Sequence, residues 1–463
     1  MFRLKNLSDM KNTIIKISLL VVTLTVSVSS CEFGDTNVNP ALPTDVSMTA
    51  LLPSGQTAIS WAIGGEIVRF SGLLTRQFEG INAQQLDNWR YLIREADTNG
   101  LWQRMYFNSL NTINIVIAKG AEQNSPHYQG VGEVLMATGI GSLTDAFGSV
   151  PYSTAFMGDE GSFTPSYDQQ QELYTNTIPQ LLDDAITKLN AEESLSSPGA
   201  DDLIFGGDLD LWIKAANSLK LRYTFQQGKQ DPAAYEAALA LIPSAISSNT
   251  EDYEMLFGSS ANEPNPQYQF TQSRSGNMLM DSYFAESFSE NDTRKPFLVG
   301  EDNEFEFSGF YTSINSPVVL MSYVEVKFIE AESHLQKTTP DEAAAKAALD
   351  EAVSASFLKI TGSPVPAAYQ AELDAAWAAA DDKLEVLISE KYIATYSQSL
   401  IPWNDYRRTG YPDLEVVPNG VNAFNSNGQI PRRLPYPQEE RLLNPSNIPT
   451  TTPNLQDRFW WDQ

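Results

Sequence analysis

Three stretches of this chain repeat apolar residues at the spacing of one helical face, and that period limits the fold more than any other feature of the sequence. Trp212, Ala216, Leu219 and Tyr223 stand at i, i+4, i+7 and i+11. Met321, Val324, Phe328, Ala331 and Leu335 follow the same pattern, as do Tyr174, Ile178, Leu182, Ala185 and Leu189. A helix that is apolar on one side must cover that side, and the simplest cover is another helix. Start signals agree. Ser166-Tyr167-Asp168-Gln169 and Thr339-Pro340-Asp341-Glu342 both fit a capping box, the second with proline at the first helical position. Asp231-Pro232 opens another helix in the same way. Ser322 to Gln336, a short turn, then Asp341 to Ser356 has the length and alanine spacing of a tetratricopeptide-type hairpin. The segment 163–190 followed by 208–227 is a second candidate pair. Such pairs stack side by side, so the reading is an all-α chain of tetratricopeptide-like helical hairpins in a superhelical body.

Long irregular stretches separate the helices. Residues 255–317 are rich in Asn, Ser, Gly, Pro and aromatics, and residues 404–463 in Pro, Asn and Arg. Compact domains keep loops this long where the loops serve a function. Within the first, Phe305-Glu306-Phe307 with Phe310-Tyr311 is expected to form a short strand or hairpin.

Residues 1–30 read as an export signal and not as fold. Lys11 and Lys16 give the positive end, Ile17 to Val28 the apolar stretch, and Val28-Ser29-Ser30-Cys31 the cleavage site. Met10-Lys11-Asn12 is a more natural start than Met1. The apolar run is short of the roughly 20 residues a spanning helix needs. Small residues before a cysteine are what a lipoprotein signal peptidase requires, so Cys31 is expected to carry lipid and to become the mature N-terminus. It is the only cysteine in the 463 residues. Once lipidated it leaves no thiol for disulfides, zinc or nucleophilic catalysis. Several acyl chains on one N-terminus anchor a protein firmly to a membrane. Residues 31–45 are polar and turn-rich and read as a tether; residues 46–463 read as one helical domain with a variable loop region at about 255–317.

The formal charge is −28, and the leader removes four bases but one acid, so the mature chain is more acidic still. Such a surface repels nucleic acid and anionic headgroups and tolerates neutral or cationic ligands. Signals for catalysis are missing from the sequence. There are two histidines, His127 in a turn and His334 on a helical face, neither with a companion at metal-ligand spacing. No glycine-rich phosphate loop or nucleophile elbow is present. Acidic doublets such as Asp183-Asp184, Asp201-Asp202 and Asp381-Asp382 point away from each other on a helix, whereas glycoside hydrolysis needs two carboxylates facing across a substrate. The reading is a protein that is not an enzyme, with no cofactor and no metal.

Six segments carry a family resemblance, in order along the chain. They are Cys31 with Phe33-Gly34-Asp35-Thr36-Asn37-Val38-Asn39-Pro40; Leu143-Thr144-Asp145-Ala146-Phe147-Gly148-Ser149-Val150-Pro151-Tyr152; and Trp212 to Arg222. Then come Tyr323 to Glu332; Glu390-Lys391-Tyr392-Ile393-Ala394 leading into Trp403 to Pro412; and Pro431-Arg432-Arg433-Leu434-Pro435-Tyr436-Pro437 with Glu440 and Asn444. The chain resembles the SusD/RagB-type nutrient-binding lipoproteins of the Bacteroidetes outer membrane, second SusD-like subgroup. Ser149 stands where that family often has Asp. The resemblance implies a lid on a SusC-like TonB-dependent outer-membrane transporter, capturing oligosaccharides, or in some members peptides, at the cell surface without catalysis.

The motif residues read as scaffold. Asn217, Lys220 and Arg222 flank a buried face and are expected to satisfy loop carbonyls. Arg407, Arg408, Arg432 and Arg433 are expected to tie down the C-terminal loops, since a guanidinium forks into two bonds, and Asp145 near Gly148 to serve as a local cap or turn partner. The ligand site is expected in the irregular parts. Sugar faces stack on aromatic rings while amides, carboxylates and arginine take the hydroxyls. Trp102, Trp212, Trp403, Trp460 and Trp461 fall in packing segments and Trp377 in an alanine-rich helix. That leaves Trp61 and Trp89, the latter with Gln84, Gln85, Asp87, Asn88 and Arg90 for polar company. The loop 262–274 adds Tyr268, Phe270 and Arg274, and the loop 301–315 adds Tyr311 and Asn315. The competing readings are a peptide binder of the same build, a surface hydrolase, and a scaffold with no small ligand.

Overall fold

The computed structural model describes residues 46–299, 309–417, 420–449 and 454–463; the leader, Cys31, the whole tether and Phe305–Phe307 lie outside the described residues. Helix α1 (Met48–Ala62) runs through a π-helical stretch (Ile63–Ile67) into α2 (Val68–Leu74). Strand β1 (Phe78–Gly80) and α3 (Ala83–Trp89) follow. A second π-helical stretch (Arg104–Leu110) leads into α4 (Asn111–Glu122). Next come α5 (Pro126–Phe147), α6 (Ile178–Leu189), α7 (Leu209–Phe225) and α8 (Ala233–Leu241). Beyond β2 (Tyr253–Met255) lie α9 (Pro266–Ser273), β3 (Met278–Met280) and β4 (Val318–Met321). The chain continues through α10 (Tyr323–Gln336), α11 (Glu342–Thr361), α12 (Ala367–Ala379), α13 (Lys383–Ala394) and α14 (Ile401–Thr409).

The fold is all-α, as the periodicity implied. Consecutive helices pack in pairs, α4 on α5, α5 on α6, α6 on α7 and α7 on α8, while α10 packs on α11. Helix α5 is buried on every side from Gly130 to Phe147, so its apolar residues form no single stripe and it lies at the centre of the largest core. Its glycines let neighbours approach closely; a Cβ on Gly141 would collide with the ring of Tyr223. Four residues of the first stripe, Trp212, Ala216, Leu219 and Tyr223, are at most 3% exposed. The 174–189 stripe is equally buried. In the third, Met321 sits in β4 rather than on the helix and Leu335 is half-buried.

Two start signals work differently from the expectation. The hairpin at 322–361 is present, with Ser322 capping α10 through a bond from Glu325 N at 3.2 Å. In α11, however, Asp341 is the cap, accepting from Ala344 N at 3.0 Å, and Pro340 lies before the helix. Ser166 to Gln169 forms no capping box. The Asp168 carboxylate instead accepts from Tyr152 N and Ser153 N at 2.7 and 2.9 Å, which ties a loop across to Val150. Two bonds to otherwise orphaned loop amides outweigh the single one a cap would make.

Short strands missed by period counting complete the body. β1 pairs antiparallel with β3, Phe78 opposite Met280, and β2 with β4, Tyr253 opposite Met321. Phe310 and Tyr311, expected in a strand, lie in a turn. The stretch 262–274, expected as loop, is mostly helix α9, capped by Asn265, whose side chain accepts from Gln267 N at 2.8 Å.

The basic and acidic motif residues form a latch. Arg407 donates to the carbonyls of Asp145 and Arg432 at 2.8 and 2.9 Å, and Arg433 to that of Phe147 at 2.5 Å. Arg432 grips Asp462 through Nε at 2.5 Å. Arg408 behaves otherwise, pairing with Glu332 on α10 and with Asp405 at 2.9 Å, so it joins helices rather than loops. Asp145 is no local cap; its two oxygens accept from Tyr174 and Asn404, residues far away in the chain. Arg222 meets the Leu320 carbonyl at 2.7 Å and forks onto Glu325, whereas Lys220 pairs with Asp183 and Asn217 bonds its own helix.

Candidate functional site

The π-helical stretches Ile63–Ile67 and Arg104–Leu110 face each other across a groove. A π turn accommodates an extra residue and re-aims the side chains beside it. Here it brings Glu66 Oε1 to 3.4 Å from Arg104 Nε, one residue from each stretch. Residues of α9 close the opposite wall, since Asn265 caps that helix and fixes where Phe270 and Arg274 fall.

Three cavities join along this seam. The first, 260 Å³, is lined by Glu66, Arg69, Phe70, Gln84, Gln85, Asn88, Asp97, Arg104, Phe270 and Arg274. The second, 160 Å³, shares Glu66, Arg69, Arg104 and Phe270 with it and adds Trp61, Pro266 and Gln269. The third, 570 Å³, shares Trp61 and Gln269 and opens onto Leu203, Met255, Leu256 and Phe257. A larger hollow of 890 Å³ at Gly120, Asn124, Glu192 and Glu193 has no aromatic wall to stack a ligand.

The groove is polar, partly dehydrated and incompletely paired. The Arg69 guanidinium lies 4.2 Å over the Phe270 ring and donates to Gln267 Oε1 at 3.2 Å. Burial pulls its pKa down to about 10; Glu66 opposes the fall and Arg104 adds to it. Glu66 Oε2, Gln85 Oε1 and Asn88 Oδ1 are buried and have no hydrogen-bond partner among the described residues. Gln85 and Asn88 are 6% and 3% exposed, so water reaches them only through the groove. Buried polar atoms are normally paired, and leaving one unpaired costs about 1–3 kcal/mol. Three such acceptors beside Arg69, Arg104 and Arg274 and the rings of Phe70 and Phe270 form a surface suited to a ligand rich in hydroxyl or amide hydrogens.

Of the residues singled out in the sequence, Trp61, Phe270 and Arg274 line this groove, together with Gln84, Gln85 and Asn88. Trp89 does not. It is half-buried, packs on the core and donates from Nε1 to Asp281 Oδ2 at 3.1 Å, while Arg76 grips the same carboxylate at 2.8 Å. Tyr311 is 3% exposed, inside a second core, with its hydroxyl accepting from Gln398 at 3.1 Å. Tyr268 is half-buried and Asn315 exposed, and neither lines the groove. Sequence reasoning missed Glu66 and Arg104, because a π turn has no period to read, and Arg69, which lies in the first turn of α2 directly after one.

The acidic doublets have structural tasks away from the groove. Asp202 accepts from Gln56 Nε2 at 2.6 Å and from Trp212 Nε1 at 2.7 Å, and Asp382 caps α13 through Leu384 N. His127 bonds Ser197 and the Ala191 carbonyl. Among the described residues no cluster of His, Cys, Asp or Glu is arranged to hold a metal ion, and no helix is long and apolar enough to cross a membrane.

Comparison with known proteins bears on this geometry. Residues 70–437 match the model of the SusD-like_2 family, described as starch-binding and associating with the outer membrane. Among curated proteins no relative matches the chain. Among solved structures, a SusD/RagB family protein from Bacteroides thetaiotaomicron superposes with a TM-score of 0.73 at 22% identity, covering 90% of this chain and 99% of that one. A SusD homologue from Bacteroides uniformis gives 0.71 at 22%, covering 90% and 100%. A chitin-binding SusD homologue from Flavobacterium johnsoniae gives 0.71 at 20%, covering 90% and 98%.

Proposed function

Because the chain belongs to the SusD-like family, we propose that it is a cell-surface lipoprotein that captures nutrient oligosaccharides and delivers them to a partner SusC-like TonB-dependent outer-membrane transporter. Binding, with no catalysis, is its whole task. Residues 1–30 direct export, lipid on Cys31 holds the protein to the outer membrane, residues 31–45 tether it, and residues 46–463 form the binding body. The observation that carries the reading is the seam between the two π-helical stretches, where Trp61 and Phe270 present rings beside unpaired acceptors on Glu66, Gln85 and Asn88. Rings take the C–H face of a sugar and the acceptors take its hydroxyls. A relative described as chitin-binding supports a saccharide ligand.

A glycan array followed by calorimetry on the mature protein tests this. Oligosaccharide binding that falls in Trp61→Ala and Phe270→Ala is the expected result; no binding across the array overturns it. The strongly acidic surface, with a formal charge of −28, favours cationic peptides as the second reading. A peptide library run beside the array separates the two.

A further inference from the structure

The groove changes chemistry along its length. Its inner end is polar, with Glu66, Gln85, Asn88 and three arginines. Its outer cavity, the largest of the three at 570 Å³, adds Leu203, Met255, Leu256 and Phe257 to a lining that still includes Thr57, Asn262, Glu263 and Gln269. Leucine is a poor platform for a pyranose, which needs a flat ring to stack on. It is a good wall for an alkyl or acyl chain, whose burial is driven by apolar area alone. Leu256 and Leu203 are 63% and 42% exposed and line one cavity. They are held there rather than loose. Leu256 directly follows β2, which is pinned to β4, and the turn beyond it closes through Gly258 N to Glu263 O at 3.0 Å. Trp61 belongs to both the polar and the apolar sections and joins them.

We propose that the oligosaccharide taken by this groove carries an apolar substituent, an acyl ester or an alkyl or aryl aglycone, that seats between Leu203 and Leu256 while its sugar occupies the polar end. This inference rests on the glycan reading and adds the substituent. The sugar part supplies hydrogens to Glu66, Gln85 and Asn88, and the apolar part covers the leucines that the fold leaves in water.

The test titrates the mature protein with methyl and n-octyl glycosides of glucose, galactose and N-acetylglucosamine, below the micelle concentration. For at least one sugar the octyl form is expected to bind about tenfold or more tightly than the methyl form. Leu203→Asn with Leu256→Asn is expected to abolish that gain and leave the methyl glycoside unchanged. Both positions are open to solvent, so the variant folds; an unchanged melting temperature checks this. Leu442→Asn with Leu443→Asn, at exposed leucines outside the groove, is expected to keep the gain. Equal binding of both glycosides, or a gain that survives the Leu203/Leu256 change, overturns the proposal. So does a gain lost equally in the Leu442/Leu443 control, or an apolar tripeptide binding there where no glycoside does. Equal binding that Trp61→Ala abolishes removes the substituent and leaves the glycan reading intact.

Discussion

The C-terminal latch and the π-helical groove differ in how their buried acceptors are paired. In the latch, both oxygens of Glu332, Asp145 and Asp462 accept hydrogen bonds, from Arg408, from Tyr174 and Asn404, and from Arg432. In the groove, Glu66, Gln85 and Asn88 each keep a buried acceptor without a protein partner. Both regions contain arginines stacked on rings, Arg407 on Trp403 at 3.9 Å and Arg69 on Phe270 at 4.2 Å. The latch pairs its carboxylates fully, although Arg407 Nε, Arg408 Nε and Trp461 Nε1 keep buried donors without a partner. That finished carboxylate network holds long segments in place, whereas the groove leaves acceptors open to an outside molecule. Conspicuous sequence motifs mark the finished carboxylate network, and Glu66, Arg69 and Arg104 of the groove belong to none of them.

Removing one partner from the finished network has the largest expected effect. Arg408→Ala strands the buried Glu332 and is expected to lower stability by about 3–5 kcal/mol, read from a denaturant titration. A loss under about 1 kcal/mol there would erase the contrast between the two regions. In the groove, Phe270→Ala is expected to weaken oligosaccharide binding by about 1–3 kcal/mol, read by calorimetry. Its effect on stability is the smaller one, because Phe270 is only half-buried. Trp89→Phe should do the reverse. It removes the bond to Asp281 and is expected to lose about 1 kcal/mol of stability with glycan affinity unchanged. The smallest effect sharpens the comparison most. Gln85→Leu removes an unpaired buried amide and is expected to raise the melting temperature by a few degrees while binding falls. A lower melting temperature would mean that the amide is already satisfied.

The sequence revealed more of the scaffold than of the site. The α10–α11 hairpin was legible because Val324, Phe328 and Ala331 repeat at helical spacing and a short turn parts Gln336 from Asp341, although the cap of α11 is Asp341 and not Thr339. Helix α9 was legible in principle, since Asn265-Pro266 is an N-cap followed by proline at the first position, but its polar composition read as loop. Trp89 could not be placed, because its partner Asp281 is 192 residues away and only the fold brings them together. The same holds for Tyr311 and Gln398. Trp61 and Phe270 were found as rings in suitable company, yet their grouping depends on Glu66 and Arg104 in π turns, where the period used to assign helix faces breaks down.

The most direct test of the central claim is calorimetry of the Trp61→Ala/Phe270→Ala double variant against the best oligosaccharide from the array. The expected result is loss of measurable binding at the wild-type melting temperature. A double variant that binds as the wild type does would place the ligand elsewhere and contradict the account.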